Sequence, residues 1–444
     1  MTAVDTLIHA SWIVPVEPEG LVLPEHSIAI ANGQIQAILP TTEARARFQA
    51  EHEIHRPGHA LIPGLINSHT HAAMSLMRGL ADDLPLMEWL GKHIWPVEAR
   101  WVSPDFVRDG TRLAIAEMLR SGTTCFHDMY FFPDEVARQA EYAGMRAVVG
   151  IILIDFPSAW AQNAEEYLSK GLALHDSLRG SSLVSTALAP HAPYTVSDGP
   201  LQQVVMYAEE MDIPIHMHVH ETAFEVESAQ TEQGKRPLQR LHDLGLLSPR
   251  LLAVHMTQLS EEEIGQLSEA NTHVIHCPES NLKLASGFCP VQKLLDAGVN
   301  IALGTDGAAS NNDLDMFGEM RTAALLAKGV SGNAAALPAA QALSMATING
   351  ARALGLEAVC GSLTPGKAAD IVAVDLRRLE TAPLYHVISQ LVYATGREQV
   401  SDVWVAGRHL LKQRQLTTLD EASLLETARQ WQEKLANTDQ EAQS

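Results

Sequence analysis

Short apolar runs alternate with amphipathic stretches rich in Ala, Leu and Glu through the middle of the chain. Eight of these runs have the length of a strand, and several are apolar on both faces, as in parallel strands buried beneath helices. They cover residues 60–71, 123–130, 146–155, 182–191, 213–221, 251–258, 272–280 and 299–307. In one intervening stretch, Ser103 can cap a helix and Gly122 can end it. Strands and helices that alternate in this way over about 250 residues predict an α/β fold, a closed (β/α)8 TIM-type barrel rather than an open sheet.

The two ends of the chain have a different pattern, in which apolar and polar positions alternate. Residues 1–58 contain short alternating runs and an Asn-Gly pair at 32–33, which is a hairpin signal. Residues 361–418 have a similar pattern, in which short strands are joined by turns. We therefore expect a small β-sandwich domain built from both chain ends and a barrel domain over 59–360. An acidic helix with a frayed end should follow over 419–444.

Composition and charge exclude several classes of protein. The chain of 444 residues is long enough for a large domain and a smaller one. No apolar run approaches the roughly 20 residues of a membrane span, and the first residues lack signal-peptide features, so we expect a cytosolic protein without a membrane partner. The four cysteines include no C-x-x-C pair, which argues against a disulfide framework and a Cys-rich zinc site. A net charge of -22 without a Lys/Arg stripe argues against binding to a nucleic acid polymer. The sequence leaves open whether the chain forms a homo-oligomer.

Histidine and carboxylate residues lie at the ends of five predicted barrel strands. Alternate side chains of a strand share a face, so His69 and His71 should project together. A lone pair of this kind is more often solvated or part of a core than a metal site. Here, further residues of ligand type follow at other strand ends, namely His191, His216, His218, His220, His255 and Asp306. Because the carboxyl ends of barrel strands meet at one mouth, the pattern predicts a metal site there.

Longer motifs resemble those of a known family. The matching stretches are PGLINSHTHAAMSLMRGLADDLPLMEWL, IWPVEA, GTTCFHDMY, APHAPYT, HMHVHET, HCPESNLKLASG, LGTDGAASNNDLDM and GSLTPGKAADIVAVD. They are similar to the amidohydrolase superfamily and, within it, to the 5-methylthioadenosine/S-adenosylhomocysteine deaminase group. The resemblance implies a zinc-dependent hydrolytic deaminase that converts the adenine of a small nucleoside substrate to hypoxanthine and releases ammonia.

The resemblance also implies a set of metal ligands. These are His69, His71, His218 and Asp306. It leaves His216 deeper in the barrel and His220 nearer the substrate. Three imidazoles, a carboxylate and an open position suit Zn²⁺, although Fe²⁺ or Mn²⁺ could occupy the same ligands. Binuclear relatives carry a lysine on the fourth barrel strand, and SSLVSTALAPHAPYT contains none, so we expect one Zn²⁺ per subunit.

Catalytic and substrate-binding roles follow from the same resemblance. It implies that Glu221 protonates N1 of adenine and that His255 orients the attacking oxygen. Asp306 would accept a proton from the attacking water and help to deliver it to ammonia. Glu98 would accept hydrogen bonds from ribose hydroxyls, although a glutamate beside an arginine is often only a surface ion pair. His191 would contact the nucleoside, and Glu221 and Asp306 would contact it as well.

The substrate itself is less constrained. Apolar residues after the first barrel strand could form a lid over the mouth or simply pack as helices; they are Met74, Leu76, Met77, Leu84, Leu86 and Trp89. Relatives that accept S-adenosylhomocysteine carry arginine after the third strand, whereas residues 154–170 contain none. Because lysine replaces an arginine fork poorly, we expect a preference for 5'-methylthioadenosine, with adenosine as a second candidate. Alternatives are an aminohydrolase or chlorohydrolase acting on guanine, another base or a triazine, and a non-enzymatic metal-binding protein.

Overall fold

A computed structural model describes residues 1–442, with side chains described through residue 436. Within these residues, strands form two sheets of eight strands each. The strands are β1 (Thr2–Ile13), β2 (Leu23–Ala31), β3 (Gln34–Pro40), β4 (Phe48–Pro63), β5 (Leu65–Thr70), β6 (Thr123–Tyr130), β7 (Arg146–Leu153), β8 (Val184–Pro190), β9 (Ile215–Val219), β10 (Leu251–His255), β11 (His273–His276), β12 (Ile301–Leu303), β13 (Ile371–Asp375), β14 (Val400–Val405), β15 (Arg408–Lys412) and β16 (Gln415–Leu416).

Helices fill most of the intervals between strands. They are α1 (Thr41–Arg47), α2 (Leu86–Trp89), α3 (Trp95–Trp101), α4 (Pro104–Arg120), α5 (Pro133–Ala143), α6 (Ala164–Leu178), α7 (Asp198–Met211), α8 (Ala223–Gln233), α9 (Pro237–Asp243), α10 (Glu261–Glu269), α11 (Pro278–Lys283), α12 (Val291–Asp296), α13 (Met316–Ser331), α14 (Ala339–Met345), α15 (Ile348–Ala353), α16 (Val387–Tyr393) and α17 (Glu421–Ala442). Short 3-10 turns occur at Ala72–Met77, Leu379–Thr381 and Arg397–Gln399, and a π-helical turn at Leu90–Ile94 joins α2 to α3.

The strands β5 to β12 form the predicted barrel. Neighbouring strands pair in chain order and run parallel. β12 returns beside β5, where the Asp306 N–H donates to the His69 carbonyl oxygen at 3.0 Å. Every residue of β6 and β7 is buried, because helices cover the outside of the barrel and side chains fill its interior. The (β/α)8 prediction is confirmed, and its carboxyl-terminal ends open at one mouth.

The other eight strands come from both chain ends, as predicted, and we call them the end sheet. They form one hydrogen-bonded sheet in the order β16-β15-β14-β13-β4-β1-β2-β3. The sheet folds over itself, since the Ile35 N–H donates to the Lys367 carbonyl oxygen at 2.9 Å and Ile35 and Trp404 share one apolar core. Asn32 and Gly33, with φ of 53° and 75°, form the predicted turn between β2 and β3. β4 continues through the predicted boundary at residues 58 and 59.

The predicted start and end of helix α4 are confirmed, whereas the predicted strand over 60–71 is divided in two. The Ser103 hydroxyl accepts the Phe106 N–H at the start of α4, and Gly122, with φ of 86°, follows its end. The predicted strand 60–71 divides into β4 and β5 at Gly64. A Cβ on Gly64 would lie 1.9 Å from Thr124 Oγ1, so only glycine lets the chain pass from the end sheet into the barrel.

The C-terminal helix α17 packs against the barrel. Trp431 and Leu435 are buried, and Trp431 Nε1–H donates to Asp109 Oδ2 of α4 at 2.9 Å. The expected fraying concerns residues 437–444, whose side chains lie outside the described part of the chain. None of the helices within residues 1–442 is both long and apolar enough to cross a bilayer.

Candidate metal centre and active-site cavity

Four side chains bring metal-ligand atoms together at the mouth of the barrel. Nε2 of His69 on β5 lies 3.2 Å from Nε2 of His218 on β9. Asp306, which follows β12, places Oδ1 3.3 Å from His69 Nε2 and 3.2 Å from His71 Nε2. Metal bonds of about 2.1 Å at tetrahedral angles separate ligand atoms by about 3.4 Å. The ligand atoms of His69, His71 and His218 form one group within 4.8 Å of one another, and those of His69, His255 and Asp306 form another, so the predicted ligands surround one region that is suited to a metal ion.

The other polar atoms of these four residues are held by fixed partners. Nδ1–H of His71 donates to the Met129 carbonyl oxygen at 2.6 Å, and Nδ1–H of His218 donates to the His191 carbonyl oxygen at 2.9 Å. Such bonds place the proton on Nδ1 and leave the Nε2 lone pair free for a metal. Oδ2 of Asp306 accepts from two hydroxyls, at 2.7 Å and 2.8 Å, which belong to Ser280 and Ser310.

Burial and charge set the protonation of this cluster. Burial lowers the pKa of His69 to about 4 and that of His218 well below its usual value, so both imidazoles are neutral at pH 7. Burial acts in the same direction on His71, but its hydrogen bond to Asp306 and the charge of that carboxylate raise its pKa to about 9. His71 therefore favours its protonated form at neutral pH, and a cation held by these residues would have to displace that proton.

A cavity of about 590 Å³ opens at the predicted ligands, and His71, His218 and Asp306 line it. Met74, Leu86 and Trp89, three of the six predicted lid residues, line it, whereas Met77 packs into the buried core. The π-helical turn at Leu90–Ile94 contributes to the same wall, as such turns often do at functional sites. A second cavity, of about 890 Å³, adjoins the first through Tyr194, Thr195 and Glu221.

Glu221 and His255 lie next to the ligands. Oε2 of Glu221 is 3.8 Å from Nε2 of His255, and both residues line the smaller cavity. Burial raises the pKa of Glu221, which favours the protonated acid. Nδ1 of His255 is 2.8 Å from Oδ1 of Asn281, so Nδ1–H donates to the amide oxygen and Nε2 faces the cavity. The site thus holds an acid and an imidazole beside the ligands.

Glu98 and His191 also face the smaller cavity. Glu98 on α3 accepts a hydrogen bond from the Tyr130 hydroxyl at 2.7 Å, and burial raises its pKa. Arg100, two residues after Glu98, lies over the Trp101 ring at 5.3 Å. The His191 ring is 4.9 Å from that of His218, and burial lowers its pKa to about 3. Both groups are therefore placed to contact a ligand in the cavity.

The three histidines of HMHVH have different surroundings. His216 points into the barrel, where its Nε2 is 2.8 Å from His69 Nδ1 and its ring stacks on His127 at 3.8 Å. The residue His220 lies away from the cavity, not nearer the substrate as the sequence suggests. Its φ of 54° ends the strand alternation, and its Nε2 accepts the Leu238 N–H at 3.2 Å.

Several supporting residues escape a prediction from sequence. Tyr130, Ser280, Asn281 and Ser310 hold Glu98, Asp306 and His255 in place. All four fall within the quoted family motifs, at or just beyond the ends of β6, β11 and β12. That position is the only signal of their role, because hydroxyl and amide side chains are common in loops.

Three comparisons with known proteins agree with this geometry. The family model described as "Amidohydrolase family" matches residues 60–410. The chain belongs to the amidohydrolase family. It is 53% identical to a 5-methylthioadenosine/S-adenosylhomocysteine deaminase of Teredinibacter turnerae, over 98% of each chain. An adenosine deaminase from Xanthomonas campestris, solved with bound zinc, shares 56% identity and a TM-score of 0.97, over 98% of this chain and 99% of that one.

A solved structure of lower sequence identity shares the fold alone. An atrazine chlorohydrolase from Arthrobacter aurescens, solved with zinc, is 23% identical with a TM-score of 0.90, over 96% of this chain and 99% of that one. Proteins named for different reactions therefore share this fold, and the fold alone does not distinguish their chemistry.

Proposed function

We propose that this amidohydrolase is a zinc-dependent deaminase that hydrolyses the adenine of 5'-methylthioadenosine to hypoxanthine and ammonia, with adenosine as a second substrate. The observation that carries the proposal is the placement of two carboxyl groups, the buried Glu221 and the half-buried Glu98, in one cavity with the four proposed ligands. Glu221 can donate a proton to the base, and Glu98 can bind the ribose. We place the chemistry in residues 59–360 and assign residues 1–58 and 361–418 to the second domain.

The donor set fits zinc. His69 and His218 supply neutral nitrogen, His71 supplies a third nitrogen once its proton is displaced, and Asp306 supplies a carboxylate oxygen. The three histidine nitrogens lie within 4.8 Å of one another, and the Asp306 oxygen lies within 3.3 Å of two of them. Three histidines and a carboxylate with an open position are typical of a catalytic Zn²⁺, and Fe²⁺ or Mn²⁺ could use the same ligands. When bound there, such an ion lowers the pKa of water and supplies a nucleophile at neutral pH.

Glu221 acts on the base. Hydrolytic attack at C6 of adenine pushes an electron pair onto N1, so a proton must reach N1 as the new bond forms. A carboxyl group whose pKa is raised by burial keeps that proton near neutral pH. Glu221 therefore serves as the general acid.

Asp306 and His255 act on the attacking water. Asp306 accepts one proton of the attacking water and passes it to the amine, which leaves as ammonia. The second proton of that water then leaves the new C6 hydroxyl and restores the acid form of Glu221. The two serine hydroxyls on Oδ2 hold that carboxylate in one orientation. Nε2 of His255 hydrogen-bonds the attacking oxygen, while Asn281 fixes the imidazole from behind.

Glu98 and His191 hold the nucleoside. A carboxylate accepts two hydroxyls well, which suits the 2' and 3' hydroxyls of ribose, and the Tyr130 hydroxyl fixes Glu98 for that contact. A base or triazine has no such hydroxyls. A buried, neutral His191 can donate to or accept from the sugar or the base.

The far wall of the cavity favours an apolar 5' group. Phe156, Pro157 and Ala159 line it after β7, and no arginine occurs between Arg146 and Arg179. A thioether carbon can pack against this wall and against Met74. The carboxylate of S-adenosylhomocysteine would find no guanidinium there, so we place this compound below 5'-methylthioadenosine.

Absorbance tests the proposal. Zinc-loaded protein is mixed separately with 5'-methylthioadenosine, adenosine and S-adenosylhomocysteine, and the change from adenine to hypoxanthine is followed. We expect rapid turnover of 5'-methylthioadenosine that Glu221→Gln abolishes while zinc content is unchanged. If zinc is bound and none of the three compounds gives an absorbance change, the proposal is refuted, and another base or a triazine becomes the better candidate substrate.

A further inference from the structure

A second group of ligand-type side chains lies on the end sheet, outside the cavity. Strands β1 and β4 are parallel, with His9 beside His55 and Leu7 beside Glu53. Alternate residues of a strand share a face, so Glu53 and His55 lie on the same side as His9. Glu53 Oε1 is 2.8 Å from His9 Nε2 and 3.5 Å from His55 Nε2. We propose that His9, Glu53 and His55 form a second metal site, which takes a divalent transition metal ion such as Zn²⁺.

A chain of hydrogen bonds fixes the proton on the far side of the His9 ring. The Thr41 hydroxyl donates to the Glu25 carbonyl oxygen at 3.0 Å, and the Ser27 hydroxyl donates to Thr41 Oγ1 at 3.0 Å. The Ser27 oxygen must therefore accept from His9 Nδ1–H, at 2.6 Å. This leaves the Nε2 lone pair of the neutral ring aimed at a carboxylate oxygen 2.8 Å away.

Two groups that both carry lone pairs need a cation between them. A second proton, on His9 Nε2, would serve the contact with Glu53 alone and would leave out His55 Nε2, which lies 3.5 Å from the same carboxylate oxygen. One ligand atom from each of His9, Glu53 and His55 lies within 4.8 Å of the others, so a single ion can contact all three. A metal ion meets the same need without protonating the ring, which is the form in which histidine and glutamate act as ligands.

The third ligand completes a common donor set. The His55 ring stacks on that of His9 with centroids 4.7 Å apart, so both Nε2 atoms reach toward Glu53. Two imidazole nitrogens and one carboxylate oxygen bind Zn²⁺, Ni²⁺ and Cu²⁺ more tightly than Mn²⁺ or Mg²⁺. Glu53 and His55 are exposed, so water can complete the coordination.

Arg45 is the group that opposes the site. Its Nε lies 3.2 Å from Glu53 Oε1, and its side chain, 54% exposed, can move into solvent. A guanidinium and a metal ion compete for the same carboxylate, so removing the guanidinium should tighten metal binding. The site joins β1 to β4, two adjacent strands of the end sheet, and none of its residues lines the cavity of the barrel. Its effect should therefore be on the stability of this sheet and not on turnover.

Metal counting on the zinc-loaded enzyme tests the site. The protein is equilibrated with excess Zn²⁺, freed from loosely bound metal by gel filtration and analysed by mass spectrometry. We expect two equivalents in the unmodified chain and in His52→Ala, a matched control on an exposed neighbour in β4. We expect one equivalent in Glu53→Gln and in His55→Ala, with turnover unchanged in both.

Competition with a chromophoric chelator adds a second readout. Arg45→Ala should hold the second zinc several-fold more tightly, and the second zinc should raise the melting temperature of the unmodified chain but not of His55→Ala. One equivalent in the unmodified chain would overturn the site. Two equivalents that persist in both Glu53→Gln and His55→Ala would also overturn it, because the second ion would then lie elsewhere.

Discussion

Glu221 and His255 face each other at the carboxyl ends of β9 and β10, with Glu221 Oε2 3.8 Å from His255 Nε2. Their strands are neighbours in the barrel, and His255 pairs with Val219, two residues before Glu221. The φ of His255 is 75°, a value that a non-glycine residue seldom adopts. Packing around the mouth of the barrel holds His255 in this conformation. The Glu221 carboxyl group and the His255 imidazole therefore face the same cavity.

Replacing Glu221 by glutamine should lower kcat/KM for 5'-methylthioadenosine by about 10²- to 10⁴-fold, because the amide cannot give a proton to N1. Zinc content should remain unchanged, since Glu221 is not among the proposed ligands. Glu227→Gln, on the exposed face of α8, is the matched control and should retain full activity. A Glu221→Gln enzyme within tenfold of the unmodified one would remove this residue from the mechanism.

Replacing Glu98 by glutamine should raise KM for nucleosides about tenfold to hundredfold, the worth of a hydrogen bond to a charged group. Steady-state kinetics on 5'-methylthioadenosine measure this directly. Glu88→Gln, an exposed carboxylate paired with Lys92, controls for the loss of a negative charge nearby. If both variants bind nucleosides as the unmodified enzyme does, the ribose contact is wrong and a substrate without ribose becomes the better candidate.

Removing one ligand of the metal centre should empty it. In a Glu53→Gln background, which excludes the proposed second site, we expect one zinc per chain. His71→Ala should lower that content to well under one and abolish turnover, because three ligands hold the ion less tightly than four. Two equivalents in the Glu53→Gln background with intact activity would instead indicate a binuclear centre.

The loop after β7 should control the choice between thioethers. Ala159→Arg introduces a guanidinium at an exposed position on the cavity wall, where it can meet the carboxylate of S-adenosylhomocysteine. We expect kcat/KM for this compound to rise relative to 5'-methylthioadenosine by about tenfold, the worth of one charged hydrogen bond. Ala159→Gln, which is long and polar but uncharged, should leave the ratio unchanged. If the unmodified enzyme has equal kcat/KM values for 5'-methylthioadenosine and S-adenosylhomocysteine, the expected preference for 5'-methylthioadenosine is wrong.

Stability at low pH should depend on Asp402 in the end sheet. This side chain is fully buried and accepts from Arg56 Nε at 2.7 Å and His409 Nε2 at 3.0 Å. Burial alone would raise its pKa, but these hydrogen bonds and the Arg56 charge hold the pKa well below the usual range. The stabilisation is complete above the unfolded pKa of about 3.9 and is lost as pH falls toward the folded value.

Asp402→Asn should therefore lower the free energy of unfolding at pH 7 by about 3–5 kcal/mol, because Arg56 loses its buried partner. Its stability should also fall less steeply than that of the unmodified chain between pH 5 and pH 3. Urea unfolding across this range measures both effects. Asp105→Asn, which removes an exposed ion pair on α4, is the control. If the unfolding free energies of Asp402→Asn and the unmodified chain fall equally with pH, Asp402 does not cause the loss of stability at low pH.

The alternation of strands and helices predicts that the residues at the strand ends meet at one mouth, and the structure brings His69, His71, His218 and Asp306 together there. The choice of His218 among the three histidines of its strand comes from the family resemblance, because periodicity alone does not distinguish them. The expected position of His220 near the substrate is wrong, because its positive φ ends the regular alternation of the strand and directs the ring away from the cavity. Contacts between distant strands, such as His9 with Glu53, have no local signature at all, since pairing of β1 with β4 creates them.

Reaction in oxygen-18-labelled water tests the central claim most directly. Zinc-loaded protein is incubated with 5'-methylthioadenosine in the labelled solvent, and the product and ammonia are measured. Hydrolytic deamination predicts a hypoxanthine product that carries one labelled oxygen at C6, with one ammonia released per nucleoside and neither formed by Glu221→Gln. Unchanged adenine, or a product formed without labelled oxygen and ammonia in equal amounts, would contradict the account.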